Sequence, residues 1–365
     1  MPEQKPTIYT VGTAHLDTSW LWTLETTVEE YIPATLNENF AHFEKYPDYT
    51  FSFEGAYRYE LMEEYYPELF EKLKEYVAQG RWRVAGSAWE NGDTNIPSPE
   101  ALLRNILLGN RYFQEKFGKQ SCDIYLPDCF GFGWALPGIA AHANLNGFIT
   151  QKLTWGSASE VPFALGRWQG PDGSEIFACP DGHSYSSSLR KVRGHKSMRR
   201  ALGYLGRHGM PPFALILHGV GDRGGAPKEK SVKVVCGEIA ENNASGVTVK
   251  SAAVDDIFRD LAALPKEEQQ KLPLYKGEWL LTDHGTGCYT ARLWSKRWNR
   301  QAQQLAAAAE HANVFAGFMN RLPYPKDSLN TAWKRIIRHQ FHDDMTGTSL
   351  EICYPRNWKI GRAHV

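Results

Sequence analysis

The sequence predicts an α/β domain followed by a helical domain, and two observations support this prediction. Up to about residue 288, short β-branched or aromatic runs alternate with longer stretches whose apolar residues recur at helical spacing. That alternation is typical of an α/β domain. From residue 289 onward the sequence is rich in Ala, Gln and Leu and shows no strand pattern. The predicted domains are therefore 1–288, an α/β domain, and 289–359, an incomplete helical domain.

Local patterns predict the elements of both domains in order. Residues 7–13 (TIYTVGT) predict a buried first strand. Residues 24–46 and 57–79 predict helices, the second of which ends at Gly80. A third helix opens at Ser98-Pro99 and reaches about residue 117, because proline fits the first turn of a helix. Further strands are predicted at 81–85, 122–126, 147–150, 175–178, 213–218, 247–250 and 276–281, and further helices at 297–320 and 328–342.

The composition favours a neutral or weakly charged partner. The 365 residues include 41 basic and 41 acidic side chains, so the formal net charge is zero and no basic field is available for nucleic acid. No apolar run has membrane length, so no membrane association is expected. The 12 Trp and 17 Tyr offer flat faces for sugars, although most of these rings are expected in the core.

The cysteines and the N-terminus indicate the compartment. Six cysteines are scattered along the chain without a C-x-x-C pair, which predicts free thiols in a reducing environment. The first residues contain no apolar h-region, so the expected location is the cytoplasm, unless a start codon further upstream adds a signal peptide.

The last six residues have an unusual sequence. Residues 360–365 (IGRAHV) look like the translation of a widely used sequencing adapter. We therefore expect these residues to be an artefact and the natural chain to continue differently. A genuine C-terminus is the alternative.

Acids and histidines follow three of the predicted strands. His15 and Asp17 come after the first strand, and two residues spaced by one share a face of a strand. Asp128 and His284 follow two later strands. Active sites of α/β barrels lie where strands end, and two imidazoles with two carboxylates suit zinc or another divalent ion. Each motif alone has a structural alternative, such as a helix cap at Asp128.

A glycine-rich segment after another predicted strand adds a carboxylate. Residues 218–227 (HGVGDRGGAP) contain neither G-K-[ST] nor a G-x-G-x-x-G register, so a phosphate-binding loop is not indicated. Asp222 lies in this segment beside Arg223, which would keep it ionised unless the arginine points away.

These segments resemble glycoside hydrolase family 38, the α-mannosidases. The resemblance extends over essentially residues 7–350, and residues 339–349 (HQFHDDMTGTS) are similar to the signature of the family's helical domain. It is carried by HLDTSWLW at 15–22, WENGDTNIPSPEALLRN at 89–105, PDCFGFGWALPGIAAHA at 127–143, TQKLTWGS at 150–157, GVGDRGGAP at 219–227 and HGTGCYTARLWSKRWNR at 284–300.

The resemblance implies the architecture and the metal site. It implies a distorted seven-stranded α/β barrel, then a domain of the three-helix-bundle type, then large β domains beyond this chain. It also implies a zinc ion (Zn²⁺) held by four residues, and a nucleophile, Asp128, that is itself one of them. The four implied ligands are His15, Asp17, Asp128 and His284.

The resemblance is less specific about the remaining site residues. It implies that Trp20 lies under the bound sugar and that Asp222 is the general acid/base, with Asp93 or Glu90 as alternatives. Gly285 stands where the eukaryotic branch has Asp, which fits bacterial-type members and leaves the detailed substrate contacts open.

Several other side chains are candidates for contact with substrate or between domains. His342 and Asp343 are expected on a helix, where hydrogen bonds between domains are favoured over catalysis. Both residues, together with Asp17 and Asp93, are candidates for substrate binding.

Three further side chains have expected positions rather than expected chemistry. Tyr185 is expected on a surface loop rather than in the pocket. Trp155 belongs either to the pocket wall or to the core, and Lys296 is expected to fasten the helical domain to the barrel.

The implied function is a retaining α-mannosidase that hydrolyses terminal α-mannosides of mannose-containing glycans. Asp128 would form a glycosyl-enzyme anchored by zinc, while a second carboxylate protonates the leaving oxygen and later deprotonates water. A homo-oligomer is possible. Two alternatives stay open: a metal-dependent sugar deacetylase, and a catalytically inert truncated fragment.

Overall fold

The strands form two five-stranded sheets. The computed structural model describes residues 5–156, 160–319 and 322–354, so the predicted artefact at 360–365 lies outside the described residues. The strands are β1 (Thr7–Ala14), β2 (Phe51–Glu54), β3 (Trp82–Ala85), β4 (Asp123–Tyr125), β5 (Gly147–Ile149), β6 (Gly166–Gln169), β7 (Glu175–Cys179), β8 (Phe213–Val220), β9 (Thr248–Ser251) and β10 (Leu274–Lys276).

The first sheet is parallel throughout and is built around β1. Its order is β3-β2-β1-β8, and β9 also pairs with β1. β8 pairs with β1 along its whole length, whereas the other edge of β1 pairs first with β9 and then with β2. Every residue of β1 is buried, as expected for a parallel strand covered on both faces. β1 is therefore the central strand of this sheet, and His15 follows directly after its last residue.

The second sheet has the order β10-β6-β7-β5-β4, with β6 antiparallel to β7 and the other pairs parallel. The two sheets approach each other at two places. The N–H of Leu217 donates to the carbonyl oxygen of Gly182 (2.9 Å), and the N–H of Gly86 donates to the Asp123 carboxylate (3.4 Å). The α/β class is thus confirmed, while the closed seven-stranded barrel stays a prediction.

Helices surround the sheets and form the C-terminal part of the described chain. A π-helical turn, Thr27–Tyr31, joins the first two into one continuous stretch. The α-helices are α1 (Leu24–Thr26), α2 (Ile32–Lys45), α3 (Ala56–Tyr65), α4 (Pro67–Ala78), α5 (Pro99–Phe117), α6 (Leu136–His142), α7 (Lys196–Arg207), α8 (Glu229–Ala240), α9 (Asp256–Ala262), α10 (Lys266–Gln270), α11 (Leu293–Phe318), α12 (Lys326–Arg338) and α13 (His342–Thr346).

Packing and capping explain the positions of the early helices. The largest apolar cluster packs β2 and β3 against α2, α3, α4 and α5, with Trp82 fully buried. Ser98 caps α5 as expected, since its hydroxyl accepts a hydrogen bond from the N–H of Ala101 (3.3 Å). No helix in the part of the chain that the structure describes has the length and apolarity needed to cross a bilayer.

The predicted single helix at 57–79 is wrong, because the chain forms two helices there, α3 and α4. They are separated at Tyr66, whose φ of −135° and ψ of 57° are not helical. Pro67 follows directly, and the ring of a proline disfavours helical geometry in the residue before it. Proline also lacks the N–H that a continuous helix would need at this position.

The predicted strand at 276–281 is also wrong. The strand β10 ends at Lys276, and Gly277 has a φ of +133°, a conformation that favours glycine. Beyond it, Trp279 forms an isolated antiparallel bridge with Phe132. The strands β2 and β6 had no prediction, whereas the other predicted strands are confirmed to within two residues at each end.

The helical part is attached to the sheets by side chains of α11. Gln303 accepts a hydrogen bond from the N–H of Ser98 (3.0 Å), and Glu310 forms an ion pair with Arg104 (2.6 Å). Lys296 was predicted to fasten the two parts, and its positive charge does interact with the buried Asp93 of the α/β part. Its ammonium group donates to the carbonyl oxygens of Ala291 and Met345, both at 2.6 Å and both within the helical part. Because α13 has only five residues, the three-helix bundle stays a prediction.

Candidate active site

The loop after β1 carries His15 and Asp17 into the interior. His15 is fully buried, and its Nδ1 lies 3.0 Å from Oε1 of Glu54, at the end of β2. A carboxylate can only accept, so His15 donates its Nδ1 hydrogen to Glu54. The Nε2 atom of His15 then points to Oδ1 of Asp17, 2.9 Å away. The buried carboxylate of Glu54 therefore fixes the orientation of the His15 ring, so that its Nε2 faces Asp17.

A second imidazole, that of His342, reaches the same place from the helical part of the chain. An antiparallel bridge between Gly92 and Phe341 holds the segment that leads into α13. His342 is fully buried, and its Nδ1 lies 2.9 Å from the carbonyl oxygen of Asn91, to which it must donate. Its Nε2 lies 3.5 Å from Oδ1 of Asp17. Thus His342, expected to make contacts between domains, also faces the site.

His15, Asp17 and His342 form a group that we call the histidine–aspartate cluster. One ligand atom from each lies within 4.8 Å of the other two. His15 Nε2, Asp17 Oδ1 and His342 Nε2 are all buried, and both nitrogens face Asp17 Oδ1, at 2.9 and 3.5 Å, without a hydrogen bond of regular geometry among the described residues. Buried polar atoms are rarely left unpaired, and two imidazoles with a carboxylate are common zinc ligands. The residues present therefore fit a divalent cation.

The electrostatics of the cluster agree with this fit. Burial alone would lower the pKa of His15, but the carboxylates of Asp17 and Glu54 raise it to about 10. Burial would also lower the pKa of His342, which Asp343, Asp128 and Asp17 instead raise. These acids thus favour positive charge on both rings when protons are the only cations. A metal ion can supply that charge instead of the protons.

Asp128 lies beside the histidine–aspartate cluster. Its Oδ2 is 3.7 Å from Nε2 of His342, and its Oδ1 accepts from Lys152 (2.6 Å) and Tyr185 (3.0 Å). Burial would raise the pKa of Asp128, but contacts with His342, Lys152 and His15 lower it to about 2. Asp128 is therefore ionised at neutral pH, as a nucleophile must be. Tyr185 is only 3% exposed, so its expected position on a surface loop is wrong.

His284 does not join the histidine–aspartate cluster. Its half-buried ring contacts the rings of Trp155 and Phe130, with centroids 5.1 and 5.7 Å apart. Burial and the nearby Lys152 lower the pKa of His284. The structure therefore supports His342, rather than His284, as the second imidazole of the cluster. It also shows that Trp155 is 45% exposed, which favours the pocket wall over the core.

Asp222 lies on an exposed loop directly after β8, with a φ of +59°. Desolvation raises its pKa, and the negative charges of Asp17 and Asp128 raise it further. The general acid of a glycosidase must carry a proton before the reaction, so this environment suits the predicted acid/base role. The site thus contains two carboxyl groups of opposite behaviour: the pKa of Asp128 is lowered, and the negative charge of Asp128 helps to raise the pKa of Asp222.

The two alternative acids, Glu90 and Asp93, accept hydrogen bonds from other groups of the protein. Glu90 is fully buried and accepts from Arg58 (2.8 Å) and Thr18 (2.7 Å), which makes it a poor acid/base. Asp93 is also buried, and its Oδ1 accepts from the N–H groups of Asn95 (2.9 Å) and Ile96 (2.7 Å). These contacts hold a turn through Oδ1 of Asp93, and its role in substrate binding stays a prediction.

Asp343 adjoins His342, and Trp20 lies three residues beyond Asp17 in the chain. Burial raises the pKa of Asp343 to about 7, with a smaller contribution from the charge of Asp17 and against the opposing effect of His342. Its Oδ1 accepts from the hydroxyl of Thr348. Trp20 is half-buried and packs edge-on against Trp22, with ring centroids 5.9 Å apart. Its predicted place under a sugar stays a prediction.

Comparison with known protein families gives two matches. Residues 5–278 match the family profile "Glycosyl hydrolases family 38 N-terminal domain", and residues 284–358 match "Alpha mannosidase middle domain". The predicted domain limits, 1–288 and 289–359, stay predictions.

Individual relatives agree with the family matches. The chain is 29% identical over 362 residues to Alpha-mannosidase G of Dictyostelium discoideum, covering 98% of the chain and 32% of that protein. It is 28% identical over 358 residues to Alpha-mannosidase 2C1 of Homo sapiens, covering 96% and 33%. The chain therefore spans about one third of the length of these curated relatives. An alpha-mannosidase structure from Enterococcus faecalis V583 has the same fold, with a TM-score of 0.75 at 22% identity, covering 98% of this chain and 41% of that one.

Proposed function

The chain belongs to the family 38 glycosyl hydrolases, and on that premise we propose that it carries the catalytic site of a retaining α-mannosidase. The observation that carries this proposal is the position of Asp128. It is an ionised, mostly buried carboxylate beside the three converging ligand atoms of the histidine–aspartate cluster, which form no hydrogen bond of regular geometry among the described residues. The names of the relatives support mannose-containing glycans as substrates.

We propose that the metal is Zn²⁺ and that His15, Asp17 and His342 hold it, with Asp128 Oδ2 on the same side. This set revises the predicted one by placing His342 in the position expected for His284. A bound zinc ion supplies a Lewis acid that can bind and orient hydroxyl groups of a sugar. The donor set also suits other divalent ions, such as cobalt.

The chain's own residues supply the two carboxyl groups of a retaining mechanism. Asp128 attacks the anomeric carbon while Asp222 donates its proton to the leaving oxygen. In the second step Asp222 accepts a proton from water, and the bond between the sugar and Asp128 breaks. The lowered pKa of Asp128 and the raised pKa of Asp222 support this assignment. A retaining pair requires the two carboxyl groups to be about 5–5.5 Å apart in the working enzyme.

The remaining proposals concern architecture and location. We propose that seven strands form one distorted barrel, because hydrogen bonds join the two sheets at Leu217 and Gly182 and again at Gly86 and Asp123. The seven strands are β1, β2, β3, β4, β5, β7 and β8. The six cysteines are free, which supports a reducing compartment such as the cytoplasm.

A trapping experiment tests the proposed reaction. The purified protein is incubated with an aryl α-mannoside, and the configuration of the released sugar is followed by NMR. A fluorinated mannosyl fluoride then traps the intermediate, which peptide mass spectrometry should locate on Asp128. A sugar deacetylase forms no such adduct. Absence of both hydrolysis and adduct in this chain, with activity in a longer natural chain, would instead support the inert-fragment alternative.

Metal analysis tests the revised ligand set. Zinc content is measured in the wild type and in His15→Ala, His342→Ala and His284→Ala, with thermal unfolding as a check on folding. We expect the first two variants to lose the metal and His284→Ala to keep it. Loss of zinc in His284→Ala but not in His342→Ala would restore the original prediction.

A further inference from the structure

The two carboxylate oxygens of Asp128 have different surroundings. Oδ2 lies on the side of the histidine–aspartate cluster, 3.7 Å from Nε2 of His342. Oδ1 faces away from His342 and accepts hydrogen bonds from Nζ of Lys152 (2.6 Å) and the hydroxyl of Tyr185 (3.0 Å). One oxygen is therefore directed to the metal ligands, and the other is held by a cation and a phenol.

Lys152 is fixed in place for this contact. Its side chain is only 3% exposed, and within the described residues its ion pair is with Asp128. The ammonium group lies over the rings of Phe130 and Trp155, 4.7 and 4.3 Å from their centroids. Such aromatic faces stabilise a cation without neutralising it. Lys152 thus offers a localised positive charge to Oδ1 of Asp128.

Resting on the proposed function, we propose that Lys152 and Tyr185 are positioning residues whose main effect is to speed the breakdown of the glycosyl-enzyme. In the first step Oδ1 forms a bond to the anomeric carbon, and the bond to the leaving oxygen breaks. Negative charge therefore leaves the Asp128 carboxylate, so both hydrogen bonds weaken.

In the second step the balance of charge is reversed. The oxygen of a water molecule bonds to the anomeric carbon, and its proton passes to the Asp222 carboxylate. The bond between that carbon and Oδ1 breaks, and its electron pair returns to Asp128. Both hydrogen bonds to Oδ1 strengthen as this charge develops. Only interactions that strengthen towards the transition state accelerate a step, so the two donors accelerate the second step.

The substitution Lys152→Met tests this inference, because it keeps the length and packing of the stem but removes the charge. Loss of a charge-assisted hydrogen bond corresponds to a decrease of about tenfold to a hundredfold in kcat. We expect kcat/KM, which reports the first step, not to fall, because both hydrogen bonds weaken in that step, so that KM falls together with kcat. The glycosyl-enzyme should then accumulate during turnover and be visible by intact-protein mass spectrometry.

Two further variants and a control complete the test. Lys152→Arg should restore most of kcat because it keeps the charge, and Tyr185→Phe should show the same pattern as Lys152→Met with a smaller amplitude. Lys250→Met is the matched control, because Lys250 forms an exposed ion pair with Asp260 (2.8 Å) and should change neither parameter. If Lys152→Met does not fold, the pattern must still appear in Tyr185→Phe.

The outcomes separate this inference from the proposed function. Equal decreases of kcat and kcat/KM in Lys152→Met and Tyr185→Phe, without accumulation of the adduct, would overturn the role in the second step. A wild type that neither hydrolyses aryl α-mannosides nor forms the adduct would overturn the proposed function, and this inference with it.

Discussion

Glu54 offers a test of how the histidine–aspartate cluster is oriented. It is only 1% exposed, and its Oε1 lies 3.0 Å from Nδ1 of His15. Glu54→Gln keeps the size and a hydrogen-bond acceptor but removes the negative charge behind the imidazole. Replacing such a partner of a metal-bound histidine lowers metal affinity about tenfold to a hundredfold. This range corresponds to about 1.4–2.8 kcal/mol of binding free energy.

Zinc affinity is measured by competition with a chromogenic chelator at constant pH, because the ligands must lose protons to bind. Glu44→Gln is the matched control, since Glu44 forms an exposed ion pair with Lys72 (3.1 Å) and should leave the affinity unchanged. Thermal unfolding of the metal-free proteins checks that both variants fold. Equal zinc affinity in folded Glu54→Gln and wild type would refute the idea that Glu54 orients and activates His15.

Three further predictions concern the acid/base, a buried acid and a close approach of strands. Asp222→Asn is expected to lower kcat/KM for glycans about 10²–10⁴-fold. It should also abolish the fall of kcat/KM at high pH that follows from loss of the Asp222 proton, as pH–rate profiles will show. Burial, aided by the charge of Asp255, raises the pKa of Asp123 to about 7. The folded protein therefore keeps a proton that the unfolded chain releases near pH 4, so the free energy of unfolding falls as pH rises from about 4 to 7. Asp123→Asn should flatten this fall in urea titrations. In Gly219→Ala the new Cβ would lie 1.7 Å from the carbonyl oxygen of Thr13, so we expect unfolding to be easier by about 3 kcal/mol or more.

Each of these predictions has a result that contradicts it. An unchanged alkaline limb in Asp222→Asn would assign the acid role to another group. A pH dependence of stability that is identical in Asp123→Asn and wild type would show that Asp123 titrates normally. For Gly219→Ala the comparison is Gly237→Ala on α8, where the added Cβ meets no atom within 4 Å. Equal stabilities of these two variants would contradict the predicted clash.

Local sequence patterns predicted much of the fold because they act over a few residues. The run of apolar residues in β1 and the Ser98-Pro99 start of α5 both depend on near neighbours, and both are confirmed. The strand β2 (FSFE) alternates aromatic and polar residues over only four positions, a short signal that the prediction overlooked. The break at Pro67 had a recognisable signal that the helical spacing on either side outweighed.

Residue spacing alone could predict only the local part of the candidate site, whereas Asp128 and Asp222 were indicated by the family resemblance. His15 and Asp17 are two positions apart directly after β1, so their closeness follows from their spacing in the sequence. His342 reaches them through a bridge between Gly92 and Phe341, which are far apart in the sequence. Contacts of this kind depend on tertiary packing, and no periodicity indicates them. Family resemblance identified the segment that contains His342, but the role of the residue followed only from its position.

Lys152 and Tyr185 were missed for the same reason. Their contacts with Asp128 join residues 24 and 57 positions apart. The position of Lys152 in the resembling segment 150–157 was the only available signal, and a lysine in a loop usually predicts a solvated charge.

The bridge between Gly92 and Phe341 couples ion binding at the histidine–aspartate cluster to the docking of the helical part of the chain. Two of the cluster's ligands follow β1, whereas the third, His342, begins α13, directly after the segment that joins α12 to α13. Any ion that binds all three is thermodynamically linked to the docking of that segment, and the linkage is reciprocal. Docking raises the affinity for the ion by the same factor by which the ion tightens docking. Binding of the ion and docking of the segment that leads into α13 therefore strengthen each other.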